Sequence, residues 1–107
     1  MKIWIDIDDT ICFYKNKTDK LNYNLALPNH NKISIVNKLY DVGHHITMWT
    51  ARGTLTGIDW YTFTKNQLDN WGLKYHELKM GKPAFDIFID DKALTTLEQL
   101  DSSLFVL

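Results

Sequence analysis

Two pairs of aspartates could do metal or phosphate chemistry, because each pair closes an apolar run. Asp6 and Asp8 follow the first apolar run of the chain, and Asp90 and Asp91 follow residues 85–89. If both runs are strands of one parallel sheet, their carboxyl ends meet at one edge. Carboxylates brought that close either shift their pKa values or bind a cation. Mg²⁺, which takes a few carboxylate and carbonyl oxygens together with waters, is therefore the predicted cofactor.

Further polar residues near these strand ends could bind a phosphate group. Lys82 precedes the second acidic pair and supplies a positive charge, and Thr50 supplies a hydroxyl at the end of another predicted strand. Arg52 and Gly53 follow Thr50 in the same loop and are candidate substrate-binding residues. Arg52 could bind a substrate phosphate or acid, or it could be an exposed charge without a ligand. The sequence leaves these two interpretations open.

Strand and helix patterns alternate along the chain and would position these side chains. The apolar runs predict strands at residues 2–7 (ending near Asp6), 45–50, 74–78 and 85–89. Asn29 and Asp59 are candidate N-caps of two intervening helices, which end before Gly43 and Gly72. The remaining segments are predicted as an ordered loop or short hairpin (12–28), a short helix (93–100) and an edge strand (104–106).

This alternation implies right-handed crossovers and a parallel sheet that is covered on both faces. The predicted fold class is α/β, a small Rossmann-like three-layer domain with a parallel central sheet. With 107 residues, of which 45% are apolar, the chain is expected to form a single domain over residues 1–107. The site is expected at the carboxyl ends of the strands.

The charge balance is nearly neutral, with 12 Lys and Arg against 13 Asp and Glu and a formal charge of −1. This argues against sequence-independent binding to a nucleic-acid backbone or to an anionic membrane surface, so any nucleic-acid contact would have to be local. Cys12 is the single cysteine, which excludes an intrachain disulfide, and the N-terminal residues lack the pattern of a secretory signal. We therefore expect a cytoplasmic protein.

Four motifs in order resemble those of the haloacid dehalogenase-like (HAD) hydrolase superfamily. The apolar run that leads into Asp6, Asp8 and Thr10 resembles the first motif, an apolar strand followed by Asp-x-Asp-x-Thr. Residues 46–50, which end on Thr50, resemble the second motif. Gly-Lys-Pro at 81–83 and Phe-Ile-Asp-Asp at 88–91 resemble the third and fourth. The four matches span residues 3–91, which makes the likeness more specific than any one motif.

The resemblance implies a phosphomonoesterase that works through an aspartyl-phosphate intermediate. In this interpretation Asp6 is the nucleophile, and Asp8 protonates the leaving oxygen and then activates water. Thr50 and Lys82 would hold the phosphoryl oxygens. A carboxylate in the position of Asp8 also fits the phosphatase branch of the superfamily rather than the dehalogenases.

The resemblance also implies a magnesium site and assigns its ligands. Asp6, the backbone carbonyl of Asp8 and Asp90 would bind the ion. Asp91 would act outside this set, where it would steady the waters of the metal or orient Lys82.

The chain has no insertion long enough for a cap domain, so the resemblance implies a capless enzyme with an open site. A neighbouring subunit could cover that site. A small phosphorylated metabolite such as a sugar phosphate is the favoured substrate class, and the alternative is a nucleotide or a polynucleotide end. Rival functions from another class are a receiver-like phosphoacceptor and a non-catalytic phosphate-binding domain.

Overall fold

A short parallel sheet and two helices form the framework of the protein. The computed structural model describes all residues from Met1 to Leu107. In chain order the elements are β1 (Lys2–Ile5), β2 (Cys12–Phe13), β3 (Leu27–Pro28), α1 (His30–Asp41), β4 (His45–Trp49), α2 (Tyr61–Asn70) and β5 (Glu77–Lys79). Strands β1, β4 and β5 form a three-stranded parallel sheet in the order β1-β4-β5. The chain is thus an α/β protein with a parallel sheet, as the alternating pattern predicts.

The two helices begin and end where the sequence signals predict. The side chain of Asn29 accepts a hydrogen bond from the backbone N–H of Lys32, and Gly43 follows the end of α1 with a φ of +105°. The Asp59 carboxylate accepts from the backbone N–H of Tyr61, the first residue of α2. These polar contacts satisfy backbone groups that have no partner inside a helix. The signals therefore hold to within a residue or two.

The strand register places one apolar face of the sheet against both helices. Ile5 pairs with Met48, and Met48 pairs with Leu78, so these three side chains share a face. They belong to one buried cluster with the apolar residues of the two helices, which are Ile33, Val36, Leu39 and Leu68. Both crossovers step across the sheet in the same direction, and right-handed crossovers of that kind place their helices on the same side.

The prediction that the sheet is covered on both faces is wrong. The second face carries Trp4, Thr47, Trp49, Glu77 and Lys79 by the same register. Trp4 keeps 50% of its surface exposed, and Glu77 and Lys79 are also exposed, whereas Thr47 is only 1% exposed. The protein therefore has helices on one side of its sheet and an open face on the other, instead of three layers.

The C-terminal part of the chain differs most from the prediction. Residues 85–89 form no strand, and every residue from 83 to 96 is exposed. The predicted helix at 93–100 is a 3-10 turn, Leu97–Gln99, and the predicted edge strand at 104–106 is part of another, Ser102–Phe105. This tail packs against α1 through the Lys32–Glu98 ion pair, and the His44 ring is hydrogen-bonded to the carbonyl of Leu104 at 2.7 Å.

Two smaller predictions can also be compared with the structure. Segment 12–28 is an ordered hairpin, in which β2 and β3 pair antiparallel, with two 3-10 turns between them (Lys17–Asp19 and Tyr23–Leu25). The strand predicted at 74–78 is β5, which lies slightly later in the chain. No helix has the length and apolar character needed to cross a bilayer.

Candidate functional site

Asp6 and Lys82 are brought together at the carboxyl end of β1. The Lys82 ammonium lies 3.3 Å from one oxygen of Asp6, and the hydroxyl of Thr10 donates to the other oxygen at 3.3 Å. Burial raises the pKa of Asp6, while the nearby Lys82 charge opposes that shift. Asp6 keeps about a third of its side chain exposed (34%), so an incoming group can reach it. This contact brings the segment around Asp6 together with the Gly-Lys-Pro segment at 81–83.

Thr50 positions the loop that carries Lys82. The backbone N–H of Lys82 donates to the carbonyl of Thr50 at 3.1 Å, and the N–H of Thr50 donates to the carbonyl of Lys79 at 3.1 Å. The Thr50 hydroxyl accepts from the backbone N–H of Arg52, and Thr50 is only 1% exposed. A hydroxyl buried in this way does not reach a phosphate, so the predicted contact between Thr50 and a phosphoryl oxygen is not present in this arrangement.

Asp8 is held by a buried guanidinium. Arg52 donates from Nε and Nη2 to the two oxygens of Asp8, at 3.0 and 2.9 Å. The hydroxyl of Tyr14 donates to Asp8 at 2.6 Å. Burial, together with this bond to a carboxylate, raises the pKa of Tyr14, which therefore stays a donor. Both carboxylate oxygens are thus occupied by protein donors.

Arg52 is a buried residue and does not face an open site. It is 2% exposed, and its Nη1 donates to Thr64 and Gln67 of α2, at 3.2 and 2.7 Å. Its guanidinium also lies 4.6 Å from the centre of the Tyr23 ring. Burial opposes its charge, but the hydrogen bonds and charge of Asp8 raise the pKa of Arg52 overall. Both sequence interpretations of Arg52, a substrate contact and an exposed charge, are therefore wrong, because the site that it fills is internal.

Gly53 has a conformational role where a substrate contact was predicted. Its φ is +83°, and a Cβ at this position would lie 2.1 Å from the carbonyl oxygen of Ile58. Only glycine tolerates both the positive φ and the close approach of another backbone. Gly53 therefore lets the loop after Thr50 fold back on itself.

The second acidic pair does not join the first. Asp90 lies in the exposed segment, where one of its oxygens accepts from the backbone N–H of Lys92 at 2.8 Å, and this bond lowers the pKa of Asp90. No three His, Cys, Asp or Glu side chains are grouped so that they could hold a metal ion. Asp91 is also exposed, and Lys82 pairs with Asp6 instead. The residues as placed do not fit the predicted magnesium site, because Asp90 does not join Asp6 and Asp8.

Sequence reasoning missed the two α2 residues that complete the Arg52 site, Thr64 and Gln67. Their spacing of three residues places them on the same side of the helix, but polar residues at such spacing are common on exposed surfaces. One usable signal was that Arg52 is the only arginine in the chain. Arginine is favoured over lysine where a carboxylate is bound by two parallel hydrogen bonds.

Comparison with known proteins bears on the fold. No family model matches the chain, and no curated protein matches it. The structure is similar to the crystal structure of an MCSG target from Vibrio cholerae, with a TM-score of 0.79 and 24% sequence identity. The match covers 97% of this chain and 95% of the other chain. At this level of identity the likeness shows a shared fold.

Proposed function

We propose that the protein is a phosphomonoesterase of the HAD-like class in which Asp6 is the nucleophile. The observation that supports this proposal is the contact between Asp6 and Lys82, which are far apart in the sequence and meet at the carboxyl end of β1. A carboxylate beside a fixed ammonium is the minimum needed to attack a phosphate and to offset its charge. The four sequence motifs that resemble those of HAD hydrolases are the reason to interpret Asp6 in this contact as a nucleophile.

The reaction would proceed in two displacements. Asp8 is a carboxylate in its ion pair with Arg52, so it must first take up a proton from solvent. An oxygen of Asp6 attacks phosphorus, the bond from phosphorus to the ester oxygen breaks, and Asp8 gives that proton to the leaving alcohol. A water then attacks phosphorus while Asp8 accepts its proton, and the bond from phosphorus to Asp6 breaks to release phosphate. Lys82 reduces the repulsion between carboxylate and phosphate, which is about 4 kcal/mol per charge pair at ~4 Å and an effective dielectric constant of ~20.

Asp8 can take part in proton transfer only if it exchanges a protein partner for the substrate. Its oxygens accept from Arg52 and Tyr14 in the structure. The Tyr14 hydroxyl is an uncharged donor that makes one hydrogen bond to Asp8, whereas Arg52 is a charged donor that makes two. The bond to Tyr14 is therefore the one expected to break when a leaving group approaches.

Magnesium enters this proposal through the resemblance to HAD hydrolases. In the structure, the positive charge beside Asp6 comes from Lys82. Asp90 does not join Asp6 and Asp8, so these carboxylates do not form a group that could hold the ion. Assays of the purified protein should therefore compare Mg²⁺ with a chelator from the start.

The test is hydrolysis of p-nitrophenyl phosphate by the wild-type protein and by Asp6→Asn. We expect turnover by the wild type and a loss of at least about a thousandfold in Asp6→Asn, because an amide cannot form the acyl phosphate. Asp9→Asn is the matched control. Asp9 is exposed, pairs with Lys20 and has a φ of 63°, which asparagine tolerates. Wild-type turnover by Asp6→Asn would contradict the proposal.

A phosphoacceptor domain is the second candidate, and the occupied state of Asp8 favours it. If Asp8 stays bound to Arg52, Asp6 could be phosphorylated without rapid hydrolysis. Incubation with acetyl phosphate followed by intact-mass measurement separates the two functions. A long-lived phosphoprotein without turnover would support the phosphoacceptor, and steady release of phosphate would support the esterase.

A further inference from the structure

The open face of the sheet and the loop after β5 together carry a surface of aromatic rings and lysines, with Lys82 between two aromatic pairs. We call this surface the aromatic platform; its residues are Trp4, Trp49, Lys79, Lys82, Phe85 and Phe88. Trp4 and Trp49 pack edge to face with ring centres 5.3 Å apart, and Phe85 and Phe88 stack at 5.1 Å. Lys82 connects the two pairs, since its ammonium lies 5.6 Å from the Trp49 ring and 5.4 Å from the Phe85 ring.

Several of these rings are exposed beside the proposed nucleophile. Trp4 and Phe88 are each 50% exposed, and Phe85 is 41% exposed. Lys79 lies 5.2 Å from the Trp4 ring, so a positive charge accompanies each aromatic pair. Because Lys82 also contacts Asp6, a phosphate bound there lies next to the rings of Trp49 and Phe85. Exposed rings of this kind are costly to keep in water unless they meet a partner.

We infer that the aromatic platform binds the base of a nucleotide whose phosphate lies at Lys82. This inference rests on the proposed function and names its substrate class, a phosphate ester of a nucleoside. A flat base can stack on an exposed ring, and a lysine beside the ring complements the phosphate. The Thr47 hydroxyl on this sheet face is only 1% exposed and donates to Glu77 at 3.4 Å, so it is not free to orient a sugar hydroxyl. The platform therefore fits a base better than a sugar.

The base and the phosphate could belong to a mononucleotide or to the terminal nucleotide of an oligonucleotide. The near-neutral charge of the chain argues against a long electrostatic footprint, so one or two nucleotides are the expected extent of binding. Adenosine 5′-monophosphate and short oligonucleotides with a 5′- or a 3′-terminal phosphate separate these sources. The proposal holds if kcat/KM for any of these esters exceeds that for ribose 5-phosphate, which has no base.

The experiment compares kcat/KM for adenosine 5′-monophosphate and ribose 5-phosphate. We expect a ratio of at least about ten in favour of the nucleotide, which is the effect of stacking one base on an aromatic ring. Trp4→Ala should lower that ratio about tenfold. Tyr61→Ala is the matched control, since Tyr61 is 41% exposed on α2, away from the platform, and the ratio should stay unchanged. Equal kcat/KM values in the wild type for ribose 5-phosphate and for all of the base-bearing esters would overturn the inference.

A second variant and a binding measurement keep the test independent of folding and of turnover. Phe85→Leu keeps an apolar side chain on an exposed loop and removes only the ring face, so it should also lower the ratio. In calorimetry, Asp6→Asn should bind adenosine 5′-monophosphate with a Kd about tenfold lower than that for ribose 5-phosphate. Absence of p-nitrophenyl phosphate hydrolysis would refute the proposed function alone. Equal affinities in Asp6→Asn would refute the platform alone.

Discussion

The guanidinium of Arg52 binds the Asp8 carboxylate inside the protein and does not bind a ligand. Replacement of Arg52 is therefore expected to affect the stability of the fold and the orientation of Asp8. Arg52 contacts Asp8, Thr64 and Gln67 and has almost no exposed surface. Removal of one partner from a buried ion pair leaves the other charge unpaired, which costs about 3 kcal/mol. The residue therefore connects the loop after β4 to α2 and orients Asp8 at the same time.

We predict that Arg52→Ala lowers the free energy of unfolding by ~3 kcal/mol and slows catalysis in a way that depends on the leaving group. A poor alkyl leaving group needs the proton from Asp8, whereas p-nitrophenolate leaves with little help. The loss in kcat should therefore be larger for an alkyl phosphate. Urea unfolding and the two rate constants measure these effects.

Arg52→Lys is the matched variant, because it keeps the charge and loses the two parallel hydrogen bonds. It should recover part of the stability and little of the alkyl phosphate activity. Equal losses of kcat on both substrates would mean that Arg52 acts only through the folded structure, and the positioning role would be wrong.

At the residue scale, the sequence predicts contacts that belong to a motif and misses those that depend on packing. The contact of Asp6 with Lys82 follows from two motif positions. The partners of Arg52 come from the loop after β1, from α2 and from the hairpin, and no local spacing relates them. A buried arginine and an exposed one have the same one-dimensional signature, so burial decides between the interpretations.

At the element scale, Gly53 and Gly57 provide a matched pair in one loop. Both have positive φ angles, +83° and +74°, but only Gly53 would bring a Cβ against another backbone. We predict that Gly57→Ala costs ~1 kcal/mol, from the φ angle alone, and that Gly53→Ala costs at least ~3 kcal/mol since Ile58 must move. Thermal unfolding of the two variants measures the difference, and equal shifts in Tm would contradict the close contact.

The elements themselves were predicted well where a periodic pattern coincided with caps. Helices α1 and α2 have both signals, and the structure confirms them. Residues 85–89 have an apolar run and no such second signal. A strand also needs a neighbour, and the free edge of β1 does not pair with this segment. Apolar content alone therefore predicted a strand that the structure lacks.

At the scale of the whole molecule, the direction of the crossovers determines which surfaces remain open. Hydrophobic patterns identify each element, but they do not show on which side of the first strand each later strand is added. The order β1-β4-β5 steps in one direction only, so both helices lie on one face. The aromatic platform is a consequence of that topology, and the prediction of three layers was wrong because it assumed a reversal.

The exposed segment 83–96 also decides whether a magnesium site can form. It contains no helix or strand before Leu97, so trypsin should cut first at the exposed Lys92. Binding of Mg²⁺ by both aspartate pairs would require this segment to move until Asp90 reaches Asp6. We predict that Mg²⁺ together with vanadate, a phosphate analogue, slows the cut at Lys92 severalfold and leaves the cut at the exposed Lys17 unchanged. Mass spectrometry of timed digests follows both sites in one sample. An unchanged rate at Lys92 would mean that Asp90 takes no part in metal binding, and the charge of Lys82 would then have to support catalysis without that ligand.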